Sequence, residues 1–200
     1  MTNTVIFDIG GVLVPDKTDA INKAVAHSAG ISLEKLVELL NPLQEDIIKG
    51  ILSLLEGYSI VASSLPNYVD HNRLLKNHLY AYSYHNQIFP QVQSLIFQFR
   101  KNYRVIGLTN TETEIAEHNE RNGLYDNFHK VYTSTGLGLM KPQREIYLAM
   151  LEKEKITSQE ALFIDDKLAN VKGALAVGIP SILYIGFTDL VEQLKQKGIV

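Results

Sequence analysis

The stretch VIFDIGGVLV, residues 5–14, decides how the rest of the chain is read. Val5, Ile6 and Phe7 make the short apolar run of a buried strand, and Asp8 stands where that run breaks. A two-glycine step, Gly10-Gly11, follows before Val12, Leu13 and Val14 resume the apolar pattern. Taken alone, Asp8 is either an acid capping the next turn or a functional group at a strand's end.

Working outward, the 200 residues are 46% hydrophobic, which suits one globular domain with a full core and a smaller insert. A net charge of -3 provides no global attraction to nucleic acid or to anionic membranes, so small soluble partners are expected. No cysteine is present, which excludes disulfides, thiolate nucleophiles and thiolate metal sites. Any metal must therefore be held by oxygen or imidazole. Asp8 interrupts the N-terminal apolar run after three residues, so neither a signal peptide nor a membrane span is expected. The composition is compatible with a reducing cytoplasm, and a cytoplasmic location is expected.

Strand-length apolar runs recur at Val105–Leu108, Val131-Tyr132, Ala161–Ile164 and Ser181–Ile185. Helical spacing lies between them, at Val92, Leu95, Ile96 and Phe99, at Ile146, Met150 and Leu151, and at Val171 and Leu175 before Gly178-Ile179-Pro180. This alternation predicts an α/β fold, a parallel sheet with helices on both faces. Residues 15 to about 86 break the rhythm. Ser32 reads as an N-cap with Glu34 in the first turn, and Ile31 and Leu36 are spaced as a hydrophobic staple. Ile47 to Leu55 predict one further helix, and Leu74, Leu75, Leu79 and Tyr82 another, so a helical insert follows the first strand. His71, His78 and His85 recur every seven residues. Seven helical residues rise about 10 Å, too far for neighbours to share one ion, so this stripe reads as a polar helix face, with a wall of a substrate entrance as the alternative.

Three strands end in polar groups: Asp8, Thr109-Asn110 and Asp165-Asp166. Ligands of open parallel sheets bind outside the carboxyl ends of the strands, so these clusters point to one crevice. The adjacent acids carry the most weight, since unpaired buried carboxylates are costly and need a cation or hydrogen-bond donors. Lys141 either supplies a positive charge there or is a solvated lysine before a helix with Pro142 at its first position.

In this order, Asp8, Thr109-Asn110, Lys141-Pro142 and Asp165-Asp166 resemble the four motifs of the haloacid dehalogenase (HAD) superfamily. The phrases FDIGGVLV, GLTNTE and GLGLMKP are most similar to the branch holding bacterial α-glucose-1-phosphate phosphatases and the N-terminal phosphatase domain of soluble epoxide hydrolases. The resemblance implies a Rossmann-like core of residues 1–15 and 87–200 and a helical cap of residues 16–86 inserted after the first strand. It further implies a Mg²⁺-dependent phosphatase of small phosphorylated metabolites that forms an aspartyl-phosphate. Asp8 would be the nucleophile. Asp8, the Gly10 carbonyl, Asp165 and Asp166 would serve the metal, with Asp166 a direct ligand and Asp165 holding a coordinated water or orienting Lys141. Thr109, Asn110 and Lys141 would hold the phosphoryl group, and Asn170 would support the site from behind.

The sequence departs from the family at Gly10, where most of its phosphatases carry a second Asp that protonates the leaving oxygen. Asp16, or a residue of the cap, is the candidate substitute. Two other readings follow: a degenerate member that binds a phosphorylated ligand or protein without turnover, and a metal-free haloacid dehalogenase.

Overall fold

The computed structural model describes residues 2–84 and 87–200; His85 lies outside them. In chain order the elements are β1 (Thr4–Phe7), α1 (Thr18–Ala29), α2 (Leu33–Leu40), α3 (Gln44–Ile48), α4 (Leu54–Ser63), α5 (His71–Tyr84) and α6 (Pro90–Phe99). Then follow β2 (Arg104–Thr109), α7 (Thr113–Arg121), β3 (Lys130–Thr133), α8 (Ser134–Leu137), α9 (Arg144–Glu154), β4 (Ala161–Asp165), α10 (Leu168–Ala176), β5 (Ser181–Leu183) and α11 (Phe187–Gln196).

The five strands form one parallel sheet in the order β3-β2-β1-β4-β5. The expected α/β class is therefore observed. The run Val5-Ile6-Phe7 is buried on both faces because β1 is central, and alternate residues face opposite layers. Val5 and Phe7 join Val92, Ile96 and Phe99 of α6 and Leu190 and Leu194 of α11. Ile6 joins Phe163 of β4 and Ile146, Tyr147 and Met150 of α9 on the other face. Pairing of Phe7 with Gly107 and with Ile164 sets the register. The next residue of each flanking strand then brings the end of β1 level with the ends of β2 and β4.

Helices α1 to α5 fill the segment between β1 and α6, and bury a cluster of their own that includes Val25, Leu36, Tyr58, Val61 and Leu74. Ile115 of α7 packs into it from the side of the sheet. Ser32 caps α2 by accepting from the Lys35 amide at 3.2 Å, as the sequence predicts. The single helix expected over Ile47 to Leu55 is instead two. Gly50 turns the chain at φ 73°, a left-handed conformation that costs other residues energy, and Ser53 and Glu56 start α4 with a reciprocal capping box. No helix among the described residues is long and apolar enough to cross a membrane.

The polar helix face expected of the histidines is corrected at His78. Its ring is buried, on the same stripe of α5 as Leu74 and Tyr82, with Nδ1 2.7 Å from the Tyr58 hydroxyl. Burial pulls this imidazole down to about 4 from its ordinary 6.5. Above pH 6.5 the ring is neutral in both folded and unfolded chains and has no linkage. As pH falls from 6.5 toward 4 only the unfolded chain takes up the proton, so stability drops by an amount on the order of 3 kcal/mol. Urea unfolding of wild type and His78→Gln at pH 7.5 and pH 4.5 measures this. Wild type should lose about 2–3 kcal/mol more than the variant over that interval, and equal losses would show that the ring titrates normally.

Candidate functional site

The ends of β1, β2 and β4 and the loop before α9 converge on one ammonium group. Lys141 is 1% exposed, so the solvated reading fails, and α9 starts at Arg144 two residues beyond Pro142, which follows a cis peptide bond. Its Nζ donates to Asp165 Oδ2 at 2.7 Å, to the Leu108 carbonyl at 2.8 Å and to Asp8 Oδ1 at 2.9 Å. All three protons of the ammonium are thereby used. Burial would pull this amine down, but Asp8 and Asp165 outweigh it and keep Lys141 charged.

Asp8 Oδ1 also accepts from the Ile9 amide at 2.7 Å, so one carboxylate oxygen is fixed from two sides. Asp165 is fully buried and saturated. Its Oδ1 accepts from the Lys167 amide at 2.8 Å, and both oxygens accept from Asn170 Nδ2 at 3.0 Å. Of the two expectations for Asp165, orienting Lys141 is the one these contacts describe. Asn170 lies in the first turn of α10 and stands behind Asp165, where the sequence puts a supporting group.

Thr109 ends β2 and is buried on the cleft wall. Asn110, expected to hold phosphate, uses its side chain otherwise: Oδ1 accepts from the Lys141 amide at 2.9 Å, and Nδ2 donates to the Lys141 carbonyl at 2.8 Å. This two-point clamp holds the loop so that the Lys141 side chain passes under the sheet's edge.

Asp166 differs from its neighbour. It is half-buried, and its Oδ1 has no hydrogen-bond partner among the described residues. Burial and the Asp165 charge raise its carboxyl above the ordinary range, although Lys167 opposes them. Burial likewise drives Asp8 upward, with Lys141 opposing and Asp165 adding to the rise. One oxygen from each of Asp8, Asp165 and Asp166 lies within 4.8 Å of the others. Three acids against one saturated lysine leave the cluster short of positive charge, and an orphan carboxylate oxygen is what a hard cation ligates. The donor set therefore fits Mg²⁺, whose oxygen ligands Asp8 and Asp166 would supply, and Gly10, which lines the cleft with Asp8, would add its carbonyl.

The two glycines have different reasons. Gly11 has φ 83°, and a Cβ there would overlap the Asp166 carboxylate. At Gly10 a Cβ would meet nothing within 4 Å. Asp16, the candidate substitute acid, is exposed and accepts from the Thr18 amide at 2.9 Å and hydroxyl at 2.7 Å. Its burial is outweighed by these bonds and by Lys167, so its carboxyl sits below the usual range and holds no proton near neutrality.

The cleft above Asp8 has a volume of about 420 Å³. Its lining also includes groups that sequence reasoning assigned no role: Lys17, whose ammonium lies 3.8 Å from the centre of the Tyr82 ring, Glu112 and Asn119. Burial raises the Glu112 carboxyl. A larger depression of about 590 Å³ lies elsewhere and contains none of the acids.

Comparison with known proteins agrees with this architecture. A hydrolase from Porphyromonas gingivalis superposes with a TM-score of 0.81 at 24% identity, covering 98% of each chain. An enzyme from Bacteroides thetaiotaomicron, solved with magnesium and inorganic phosphate, superposes with a TM-score of 0.77 at 22% identity, covering 92% of this chain and 94% of the other. A sesquiterpene phosphatase of Aspergillus oryzae is 38% identical over 55 residues, a match that spans 28% of this chain and 28% of that protein. Residues 2–178 match the family model of haloacid dehalogenase-like hydrolases, and with a parallel sheet gathering Asp8, Lys141, Asp165 and Asp166 at its carboxyl edge, the chain belongs to that family.

Proposed function

We propose that the protein is a Mg²⁺-dependent phosphatase of small phosphomonoesters, acting through an aspartyl-phosphate on Asp8. In this reading residues 16–86 are a cap over a core of residues 1–15 and 87–200, and the enzyme works in the cytoplasm. The orphan Oδ1 of Asp166 beside Asp8 carries the proposal, because a metal-free dehalogenase has no use for a buried acid left without a donor. The magnesium and phosphate complex of the Bacteroides enzyme and the phosphatase match support it.

Bound Mg²⁺ would offset the like charges of Asp8 and the phosphate, the main obstacle to an anion attacking an anion. The chain's residues do the rest. Ile9 and Lys141 hold Asp8 Oδ1, which leaves Oδ2 to attack phosphorus. A P–O bond forms to Asp8 and the ester P–O bond breaks, releasing the alcohol. Lys141, kept cationic by its two acids, faces the charge that builds on nucleophile and phosphoryl oxygens, and Thr109 stands on the wall beside them. Water then attacks the phosphorus of the aspartyl-phosphate, the P–O bond to Asp8 breaks, and inorganic phosphate leaves carrying the water's protons as Asp8 returns to its carboxylate. No acid stands at position 10 to protonate the departing oxygen, and general acid catalysis is worth about 10² to 10⁴ in rate. Glu112, held protonated more readily than an exposed acid, is the cleft carboxyl better suited than Asp16 to replace it.

Purified protein with Mg²⁺ should hydrolyse p-nitrophenyl phosphate, whose leaving group hardly needs a proton, faster than an alkyl phosphate. EDTA and, separately, Asp8→Asn should each abolish turnover. Release of chloride from 2-chloropropionate undiminished by EDTA would instead establish the dehalogenase reading, and identical background rates in wild type and Asp8→Asn the binding-only one. Gly10→Asp, which finds open space, should raise alkyl-phosphate turnover while changing p-nitrophenyl phosphate hydrolysis little. Gly11→Ala displaces the Asp166 carboxylate, and a Mg²⁺ titration of activity should show the half-saturating concentration rising about 10- to 100-fold.

A further inference from the structure

His78 belongs to the wall of the cleft, yet none of the steps above uses it. Only 5% exposed, it has its Nε2 buried with no hydrogen-bond partner among the described residues. Such a group costs stability unless a partner arrives.

The chemistry of the orphan nitrogen follows from its neighbour. Tyr58 is 1% exposed and sits 2.7 Å from Nδ1, and its hydroxyl has no other partner among the described residues. If Nδ1 carried the ring proton, the phenol's own hydrogen would be left buried without an acceptor. The phenol therefore donates to Nδ1, and the neutral imidazole carries its proton on Nε2. Tyr58 does not line the cleft and His78 does, so the phenol holds the ring from the protein side. Helix geometry assists, since Leu74 and Tyr82 flank His78 one turn away on either side and fix the stripe of α5 on which it lies.

We infer that His78, oriented by Tyr58, is a specificity-determining donor that hydrogen-bonds an oxygen on the leaving group, and that the substrates are phosphomonoesters of hydroxyl-bearing alcohols. The inference rests on the phosphatase reading. Two further features fit it. Asn22 lines the same cleft and offers an amide to a polar leaving group, while Asn119 on its wall is engaged, its Oδ1 accepting from the Tyr82 hydroxyl at 2.8 Å. A pocket with a buried unpaired donor discriminates strongly against a substrate lacking the acceptor, because that donor then stays unpaired.

The test compares glucose 6-phosphate and glycerol 3-phosphate with phenyl phosphate, all with Mg²⁺. Wild type should show a lower KM for at least one of the two polyol esters than for phenyl phosphate. His78→Phe, which keeps a ring but removes the donor, should raise that KM about tenfold or more with kcat changed less, and move the phenyl phosphate KM less than about threefold. His78→Gln, whose amide N–H reaches a similar position, should recover part of the loss. Tyr58→Phe should raise the polyol-ester KM selectively as well, by freeing the ring. Equal changes for both ester classes would reduce His78 to a structural role and overturn the inference, as would no change for either. Hydrolysis of phenyl phosphate without a lower KM for either polyol ester would overturn the inference and leave the phosphatase reading standing. Failure of wild type to hydrolyse any of the three would remove both. Should His78→Phe not fold, ¹⁵N NMR of the wild-type ring decides: a proton on Nε2 that shifts on adding glucose 6-phosphate to Asp8→Asn protein is expected, and a proton on Nδ1 overturns the inference.

Discussion

One ammonium group organises the carboxyl edge of this sheet. Lys141 has no solvent to fall back on, and its three protons are divided between Asp8, Asp165 and the Leu108 carbonyl, one from each of three adjacent strands. A buried lysine without these acceptors would lose its charge, and the two acids outweigh its burial and keep it cationic. Around this pair the remaining polar groups act as supports: Asn110 clamps the Lys141 backbone, while Asn170 and the Lys167 amide hold Asp165.

The consequence is a division of labour between two adjacent acids. Asp165 is saturated and serves as a fixed counter-charge, whereas Asp166 keeps an oxygen with no donor among the described residues. Asp165 is the last residue of β4 and fully buried, whereas Asp166 lies just beyond the strand and is half-buried. The glycine that faces it, Gly11, exists for that approach; no side chain fits between the β1 loop and the acid. Gly10, one position earlier, is under no such constraint, since a Cβ there would meet open space.

The helices between β1 and α6 complete the cleft and bring His78, backed by the buried Tyr58 hydroxyl, to its wall. The two ends of the pocket are thus built on opposite principles. At the sheet, Lys141 pairs with Asp8 and Asp165, while Asp166 Oδ1 has no partner among the described residues. At the helices, the Tyr58 hydroxyl pairs with His78 Nδ1, while His78 Nε2 has no partner among the described residues. In the proposed reading the first would serve a cation and the second an uncharged oxygen of the leaving group.

Much of this was readable from residue order. Apolar runs of three to five residues ending in acids or Thr-Asn announced a parallel sheet with a crevice at its carboxyl ends, because a strand buried on both faces has to be apolar until it emerges. The acids at positions 8, 165 and 166 follow from the same rule. What the chain order could not express is partnership across distance. Whether Lys141 is solvated or buried, whether Asn110 faces phosphate or a backbone, and which of two neighbouring acids stays unpaired depend on register among β1, β2 and β4 and on a loop over a hundred residues from Asp8. The helical segment shows the same limit. A seven-residue histidine spacing reads as a polar stripe, yet Leu74 and Tyr82 one turn to either side put His78 on the buried face, where the distant Tyr58 hydroxyl satisfies the ring. Local periodicity determines which elements form; the burial of a polar side chain is decided by whichever distant group arrives to satisfy it, and that is a property of the tertiary structure alone.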